Sequence, residues 1–358
     1  MAMEASERCE NANCKVEIEK CKVAVMAALM LPTETRKQFD FAVEQAVDAL
    51  KAGEVVALPT ETVYGLAANA FDHYAVRRIF NLKGRPANNP IIVHVASREM
   101  IRDCVTDWSN SAERLAKSFW PGPLTLVLPK SAEVPYAVTA GGSTVGIRWP
   151  AHPFIQAVIR ECGFPLAAPS ANLANQLSPT NAEHVRKSFG GKIPLIVDGG
   201  QSQVGIESTV VDLSVAPPRL LRPGIIHRES LMAVIGELSA VPTAEPHLKS
   251  PGMLPRHYAP RARLVVRSWR DDAELRRHVA ELGANPPGTH VIAHQRIPEP
   301  AGFGRVSLIP HDPEAYARAL YAELHQCDER GAELIIVEQV PDAPEWQAIV
   351  DRLQRASS

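Results

Sequence analysis

LPTETVYGLAANAFDHYAVRRIFNLKGRPANNPIIVH, residues 58–94, decides the fold and carries most of what the chain says about chemistry. The apolar run Val55-Val56-Ala57-Leu58 stops at Pro59 and passes into Thr60-Glu61-Thr62-Val63-Tyr64-Gly65. A run so apolar reads as a buried strand whose end delivers hydroxyls to a site. Lys83-Gly84-Arg85-Pro86 and Asn88-Asn89-Pro90 then close a helical stretch. Glycine lets backbone approach a ligand and the prolines stiffen the turn, so two cations are presented to an anion, most plausibly phosphate. Ile91-Ile92-Val93 begins a second apolar run with His94 next along it, so two strands and a basic turn converge.

Outward from this stretch, helices and strands alternate. Apolar residues at 39, 43, 46, 47 and 50 keep helical spacing, and Gly53 ends that helix before the strand at 55–58. Further helices are predicted over 73–81, 111–119, 153–161 and 183–189, with strands over 91–95, 124–128, 145–148, 166–168, 195–198 and 209–213. An α/β domain over residues 36–236 follows. Residues 237–262 are rich in proline and lose apolar periodicity, which reads as a linker. The alternation restarts over 263–358, with strands at 264–267, 290–293 and 333–338 and helices near 272–282, 313–329 and 345–355, a small second α/β domain packed as its own layers. Leu31-Pro32-Thr33-Glu34-Thr35 repeats the letters of Leu58 to Thr62, but runs into Arg36-Lys37-Gln38-Phe39, where it caps a helix. Residues 1–35 are expected to be a poorly ordered extension, with Met26 or Met30 as alternative starts.

With 358 residues and 46% hydrophobic content the chain can fill two cores. A formal net charge of −2 gives no global pull towards nucleic acid or anionic membrane, so anion binding must come from a local cluster. Six cysteines at 9, 14, 21, 104, 162 and 327 form no Cys-x-x-Cys pair, which suits reduced thiols, a cytoplasmic location and no zinc finger. No run approaches membrane-spanning length.

Polar residues cluster where the other strands end. Trp120-Pro121-Gly122-Pro123-Leu124-Thr125 enters a strand through a rigid turn, and Thr144-Val145-Gly146-Ile147-Arg148 ends one on an arginine suited to a carboxylate. Ala167-Ala168-Pro169-Ser170-Ala171-Asn172 and Ser178-Pro179-Thr180 make a small hydroxyl-rich surface, with Thr180 and Glu183 spaced as a capping box. Asp198-Gly199-Gly200, Ile206-Glu207-Ser208-Thr209 and Leu221-Arg222-Pro223-Gly224 complete the set. Singly, each has a plain structural reading: turn-forming hydroxyls, a satisfied core histidine at His94, and structural carboxylates, Mg²⁺ ligands or solvent-facing groups at Glu61 and Glu207.

In this order, PTETVYGL, KGRP-x-x-NP-x-x-VH, WPGPLT, VGIRWP, APSAN, SPT, DGG, ESTVVD and LRPG resemble the YrdC-like family of threonylcarbamoyl-AMP synthases over essentially all of the first domain. Ser250-Pro251-Gly252-Met253 and Arg256-His257-Tyr258-Ala259-Pro260, with the tail, resemble its two-domain form. Ala343-Pro344-Glu345-Trp346 replaces the family's usual glycine-rich turn. The resemblance implies a twisted open mixed sheet with a large basic cleft, plus a small C-terminal α/β, Rossmann-like domain. It implies a nucleotidyltransferase that converts L-threonine, bicarbonate or CO₂, and ATP into threonylcarbamoyl-AMP and pyrophosphate. That product serves tRNA modification at the adenosine next to the anticodon, with separate tRNA threonylcarbamoyl-transferase proteins downstream and tRNA itself a possible partner.

By the same resemblance Thr62, His94, Arg148, Ala168 and Ser208 hold threonine. Arg85, Asn89, Thr144, Ser170, Ser178, Arg222 and Tyr258 hold ATP, and Lys83, Arg85 and Asn172 form the catalytic group beside the phosphates. Mg²⁺ is expected on the phosphates, without a protein cage. Tyr258 sits in the linker, which is expected to fold over the cleft as a lid. The competing readings are an RNA-binding module without adenylation, which the charge balance disfavours, and a carbamoyl-adenylating module of hydrogenase maturation, whose paired-cysteine zinc motifs are absent.

Overall fold

The computed structural model describes residues 28–239, 251 and 257–358. The expected extension before residue 28 and most of the linker lie outside the described residues.

The first domain is one ten-stranded mixed sheet with helices against it. In chain order it runs β1 (Leu29–Pro32), α1 (Arg36–Lys51), β2 (Val56–Leu58), β3 (Gly65–Asn69), α2 (His73–Lys83), β4 (Val93–His94), α3 (Arg98–Cys104), α4 (Asn110–Phe119) and β5 (Leu124–Pro129). It continues with α5 (Tyr136–Thr139), β6 (Thr144–Arg148), α6 (Pro153–Cys162), β7 (Leu166–Ala167), α7 (Ala182–Phe189), β8 (Leu195–Asp198), β9 (Thr209–Asp212), β10 (Arg219–Arg222) and α8 (Arg228–Ile235). The strand order is β1-β8-β2-β3-β7-β4-β6-β5-β9-β10. Parallel β4–β6 pairing sets His94 opposite Arg148, and antiparallel β5–β6 pairing sets Thr125 opposite the same arginine. Strands distant in sequence thus deliver their ends to one place.

Local chemistry explains the elements that matter most. In α1, Ala42, Val43, Ala46, Val47 and Leu50 are buried at helical spacing, each large one contributing about 1.5–3 kcal/mol by leaving water. Thr35 caps α1 in a full capping box with Gln38, as its context in sequence implies. Asp72 caps α2 by accepting from the N–H groups of Tyr74 and Ala75. Gly84 ends the helix at φ +60, a left-handed conformation that turns the chain between Lys83 and Arg85.

The second domain is a parallel sheet, order β11-β14-β12-β13, from β11 (Arg263–Arg267), β12 (Thr289–Ala293), β13 (Arg305–Leu308) and β14 (Leu334–Glu338). Its helices are α9 (Asp272–Glu281), α10 (Pro313–Glu329) and α11 (Gln347–Ala356). It does not pack only on itself. Val63, Leu177 and Ile206 from the first domain share one apolar cluster with Tyr316, Leu320, Leu324, Ile349 and Leu353, and Tyr258 joins it from the linker. A four-stranded domain with two helices on one face leaves apolar surface over, and the neighbour covers it.

Several boundaries differ from the sequence reading. Leu29–Pro32, placed in the extension, is an edge strand, because Leu195–Asp198 offers it a parallel partner. The strand expected over 91–95 narrows to Val93–His94, since Ile91 and Val95 make their backbone bonds to Val138 and Arg148 instead. Asn181 rather than Thr180 caps α7, its side chain accepting from the His184 N–H while Thr180 contacts the His184 ring. Strands β3, β10 and β13 and helices α3, α5 and α8 are additional.

Candidate active site

The end of β2 builds the first wall. Pro59 has no N–H to continue the ladder, and Thr60 folds the next residues back. Its Oγ accepts from the N–H groups of Thr62 (3.2 Å) and Val63 (3.3 Å) and donates to Val63 O (2.6 Å). That turn aims Thr62 inward, where its Oγ1 accepts from Arg148 Nη1 at 2.8 Å. Arg148 Nε donates to Gly122 O at 3.3 Å, so the WPGP turn steadies the guanidinium. Glu61 Oε1 lies 2.6 Å from Arg148 Nη2, both groups buried. Burial would raise the Glu61 carboxyl, but the Arg148 charge together with hydrogen bonds from the Ala151 backbone and Arg148 holds it below its ordinary value.

His94 is buried with Nδ1 free of any hydrogen-bond partner among the described residues. Burial first, and then the charge of Arg148, push its pKa well below the ordinary histidine value, so the ring is neutral at physiological pH. This is not a satisfied core histidine. Ser208 completes this side: its Oγ lies 2.8 Å from Thr125 Oγ1 and accepts from Arg222 Nη2 at 3.1 Å.

Opposite stand the remaining cations. Arg222 Nε donates to Ser208 O at 3.0 Å and Nη1 to Pro251 O at 3.1 Å, joining the site to the linker. Arg85 is held by Asn89 O (2.9 Å), Asn89 Oδ1 (2.7 Å) and Pro90 O (2.7 Å), and burial brings its pKa to about 10. Lys83 Nζ donates to Ser170 O at 2.5 Å and to Asn172 O, and burial depresses its pKa. Asn172 Nδ2 donates to Leu173 O (2.9 Å) and Gln176 O (2.7 Å). Lys83 and Asn172 therefore shape the Ser170-Ala171-Asn172 turn from behind.

Between these walls lies a narrow cavity of about 40 Å³, lined by Thr62, Arg85, His94, Arg148, Ala168, Ser170, Ser208, Arg222 and Tyr258 from the expected set. Lys83, Asn89 and Asn172 stand one layer behind it. Ser178 donates to Glu207 Oε1 at 2.5 Å and does not face it. Thr144 starts β6 at the opposite end from Arg148, roughly 13 Å along the strand. Sequence reasoning missed Tyr64, Ile92, Pro251 and His257 as lining residues and Thr125 as a support. The Arg-His-Tyr stretch was a signal for His257, and the WPGPLT strand for Thr125.

Glu207 also lines the cavity and is committed to Arg352, while Glu61 stands behind the wall on Arg148. A divalent cation brought in on a nucleotide's phosphates finds no uncommitted carboxylate among these lining residues. A larger apolar hollow of about 520 Å³ among Trp108, Trp120 and Trp149 lies behind the WPGP turn, with none of the converging side chains in its wall. His184, His325 and Glu329 approach one another at the domain seam, but the two rings stack at 3.8 Å and 21°, so their lone pairs do not converge, and Glu329 is paired with Lys187 at 2.6 Å.

Three arginines, a lysine, a neutral histidine and clustered hydroxyls, without a nucleophile–base pair among the described residues, suit a site that positions anionic substrates. Residues 48–224 match the family model described as "Telomere recombination", and residues 226–358 match "Threonylcarbamoyl-AMP synthase, C-terminal domain". The chain is 43% identical over 323 residues to the threonylcarbamoyl-AMP synthase of Pyrococcus abyssi, covering 87% of this chain and 93% of that protein. It is 41% identical over 324 residues to that of Bacillus subtilis, covering 88% and 92%. A crystal structure of P. abyssi Sua5 complexed with L-threonine superposes with a TM-score of 0.83 at 40% identity, covering 92% of this chain and 98% of that one. The chain belongs to the threonylcarbamoyl-AMP synthase family, in its two-domain form.

Proposed function

We infer that this protein makes L-threonylcarbamoyl-AMP and pyrophosphate from L-threonine, bicarbonate or CO₂, and ATP. The observation that carries the reading is the meeting of Arg148, Thr62, His94 and Ser208 with Arg85, Ser170, Arg222 and Tyr258 around one cavity. The threonine amine adds to CO₂ to give a carbamate, losing a proton. A carbamate oxygen then attacks the α-phosphorus of ATP, the bond to the β-phosphate oxygen breaks, and pyrophosphate leaves. Both reactants are anions, so charge neutralisation and alignment are the work required.

In this reading Arg148 takes the threonine carboxylate, displacing Glu61, while Thr62, neutral His94, Ser208 and the Ala168 backbone frame the rest of the amino acid. Arg85, Ser170, Arg222 and Tyr258 take the nucleotide, supported by Asn89, Ser178, Lys83 and Asn172, with Thr144 at the far end of the groove. Mg²⁺ enters with ATP, held by its phosphates. Tyr258 and Pro251 in the cavity wall support the reading that the linker folds over the cleft as a lid when ligands bind. The product feeds tRNA threonylcarbamoyl-transferase proteins for modification next to the anticodon. No helix among the described residues is long and apolar enough to cross a membrane, which accords with work in the cytoplasm. Threonine-dependent release of pyrophosphate from ATP by the purified chain tests the reading; release that ignores the amino acid supplied contradicts it.

A further inference from the structure

Glu207 precedes Ser208 in the chain, and its carboxylate is fully engaged. Ser178 Oγ donates to Oε1 at 2.5 Å, Tyr321 OH to Oε2 at 3.2 Å and Arg352 Nε to Oε2 at 2.9 Å. Arg352, from α11, is itself buried, at 1% exposure. Its Nη1 donates to Pro223 O at 3.0 Å and to Asp351 Oδ2 at 2.7 Å, and Nη2 donates to Glu207 O at 3.4 Å. The guanidinium also lies 5.2 Å from the centre of the Tyr258 ring, and the Tyr321 ring stands 5.9 Å from the same tyrosine. Arg352 and Tyr321 belong to the second domain. What they hold is first-domain or linker backbone and side chain next to the cavity: the Glu207-Ser208 turn, Ser178, the Arg222-Pro223 turn and Tyr258.

Cohesion alone does not call for this arrangement. The seam already has its shared apolar cluster, and apolar packing holds two domains without the cost of taking two charges out of water. A planar guanidinium fork differs from apolar packing in fixing direction, because it bonds several acceptors at set angles, which an ammonium on a flexible stem does not. The acceptors here are two turns whose neighbouring residues, Ser208 and Arg222, bond each other at 3.1 Å in the cavity wall.

We propose that Arg352 is a positioning residue for the reaction: through Glu207, Pro223 and Tyr258 it sets the geometry of the groups that receive ATP and threonine, so the second domain completes the site of the first. The proposal rests on the synthase reading for its substrates. It explains the commitment of Glu207, which faces the cavity yet has no charge to spare for substrate.

The test uses the full-length chain with Arg352→Met, Arg352→Lys and, as a seam control, Lys187→Ala. Lys187 and Glu329 pair across the same seam with both side chains well exposed, a contact of little energetic weight. Steady-state KM for ATP and threonine, threonine binding by calorimetry and thermal melting are measured on each. Arg352→Met is expected to raise both KM values roughly 3- to 30-fold, the span that coupling through such a network carries, with Arg352→Lys in between and Lys187→Ala at the wild-type values. Wild-type KM values in a folded Arg352→Met chain overturn the proposal, whatever happens to its melting temperature, because lost melting alone is what a merely structural residue gives. Should Arg352→Met not fold, Arg352→Lys is judged by the same criterion. A wild-type chain without threonine-dependent pyrophosphate release refutes the synthase reading instead, and threonine binding by Arg352→Lys against wild type then decides the positioning role.

Discussion

Glu61 and Arg148 meet at 2.6 Å beside the cavity that Arg148 lines, charge against charge but poorly aligned as a hydrogen bond. Both carboxylate oxygens and Arg148 Nη2 make no well-aligned hydrogen bond among the described residues, although Arg148 and the Ala151 backbone stand close enough to favour the charged carboxylate. Such a contact neutralises the arginine without satisfying it, so an incoming carboxylate that aligns with the fork has something to gain by exchange. Under the proposed function, the carboxylate of the protein holds the place that threonine's carboxylate would take.

Removing the arginine therefore has two consequences. Arg148→Ala should weaken threonine binding by about 2–5 kcal/mol, as for a desolvated ion pair. It should also lower stability by about 3–5 kcal/mol, because Glu61 is left buried and unpaired. Calorimetric titration with threonine and denaturant unfolding check the two; near-normal threonine affinity sinks the role of Arg148.

The same pair makes a prediction for acid. Glu61 has its folded pKa held below the ordinary value of 4.5, burial working upward and the Arg148 charge with the hydrogen bonds of the Ala151 backbone and Arg148 together prevailing. A depressed carboxyl stabilises the fold above its unfolded pKa, and that contribution is lost as pH falls from about 4.5 through the lowered folded value. Glu61→Gln should flatten the acid limb of stability against pH in that window and leave the neutral-to-alkaline limb parallel to wild type. An unchanged acid limb contradicts the account.

Histidine supplies a separate window at the domain seam. His184 stacks on His325 at 3.8 Å, and burial, then His325 and Lys187, bring its pKa to about 3, with Glu183 opposing. His325 is also lowered, by burial above all, and Glu329 stands beside both rings. The unfolded chain takes up protons below 6.5 that the folded one refuses, so this stability is complete above that value and declines as pH falls. For His184 the decline is roughly 2 kcal/mol at pH 5. His184→Gln should reduce the slope of melting temperature between pH 7 and 5; an identical slope counts against it.

How much of this the sequence displayed depends on the kind of residue. Strand-end motifs such as VGIRWP and the Gly84 turn could be read because apolar runs, prolines and a C-capping glycine each act over a few residues. The long helices followed from their periodicity. Strands β3 and β13 did not, since Gly-Leu-Ala-Ala-Asn is small and featureless and Arg-Val-Ser-Leu is a short edge segment. Their pairing is supplied by neighbours far along the chain. Glu61 and Glu207 stayed ambiguous for a related reason: their partners are 87 and 145 residues away, and no local pattern announces either arginine. Arg352 could not have been found at all, as its sequence neighbourhood is an ordinary amphipathic helix.

The seam makes one mechanical prediction. Gly205 has φ +81, and a Cβ there would stand 2.4 Å from the Arg318 Cα and 2.5 Å from Ala317 O. Since those atoms are α10 backbone, Gly205→Ala must displace the second domain as well as strain the turn, at about 1–3 kcal/mol for the backbone alone. Gly84→Ala, with φ +60 but open space around it, bears only the backbone strain. Denaturant unfolding should show Gly205→Ala to be the more damaging of the two; the reverse order contradicts the packing described.

On the proposed function, one cavity joins an amino acid to a nucleotide through a captured carbon. The most direct measurement supplies ATP, isotopically labelled bicarbonate and each amino acid in turn, and follows the label by mass spectrometry. A labelled adenylate, with equimolar pyrophosphate, is expected in the presence of threonine. Serine, which lacks only a methyl, should be rejected by about 1–3 kcal/mol. Pyrophosphate released without label in the adenylate, or label incorporated without regard to the amino acid, would contradict it.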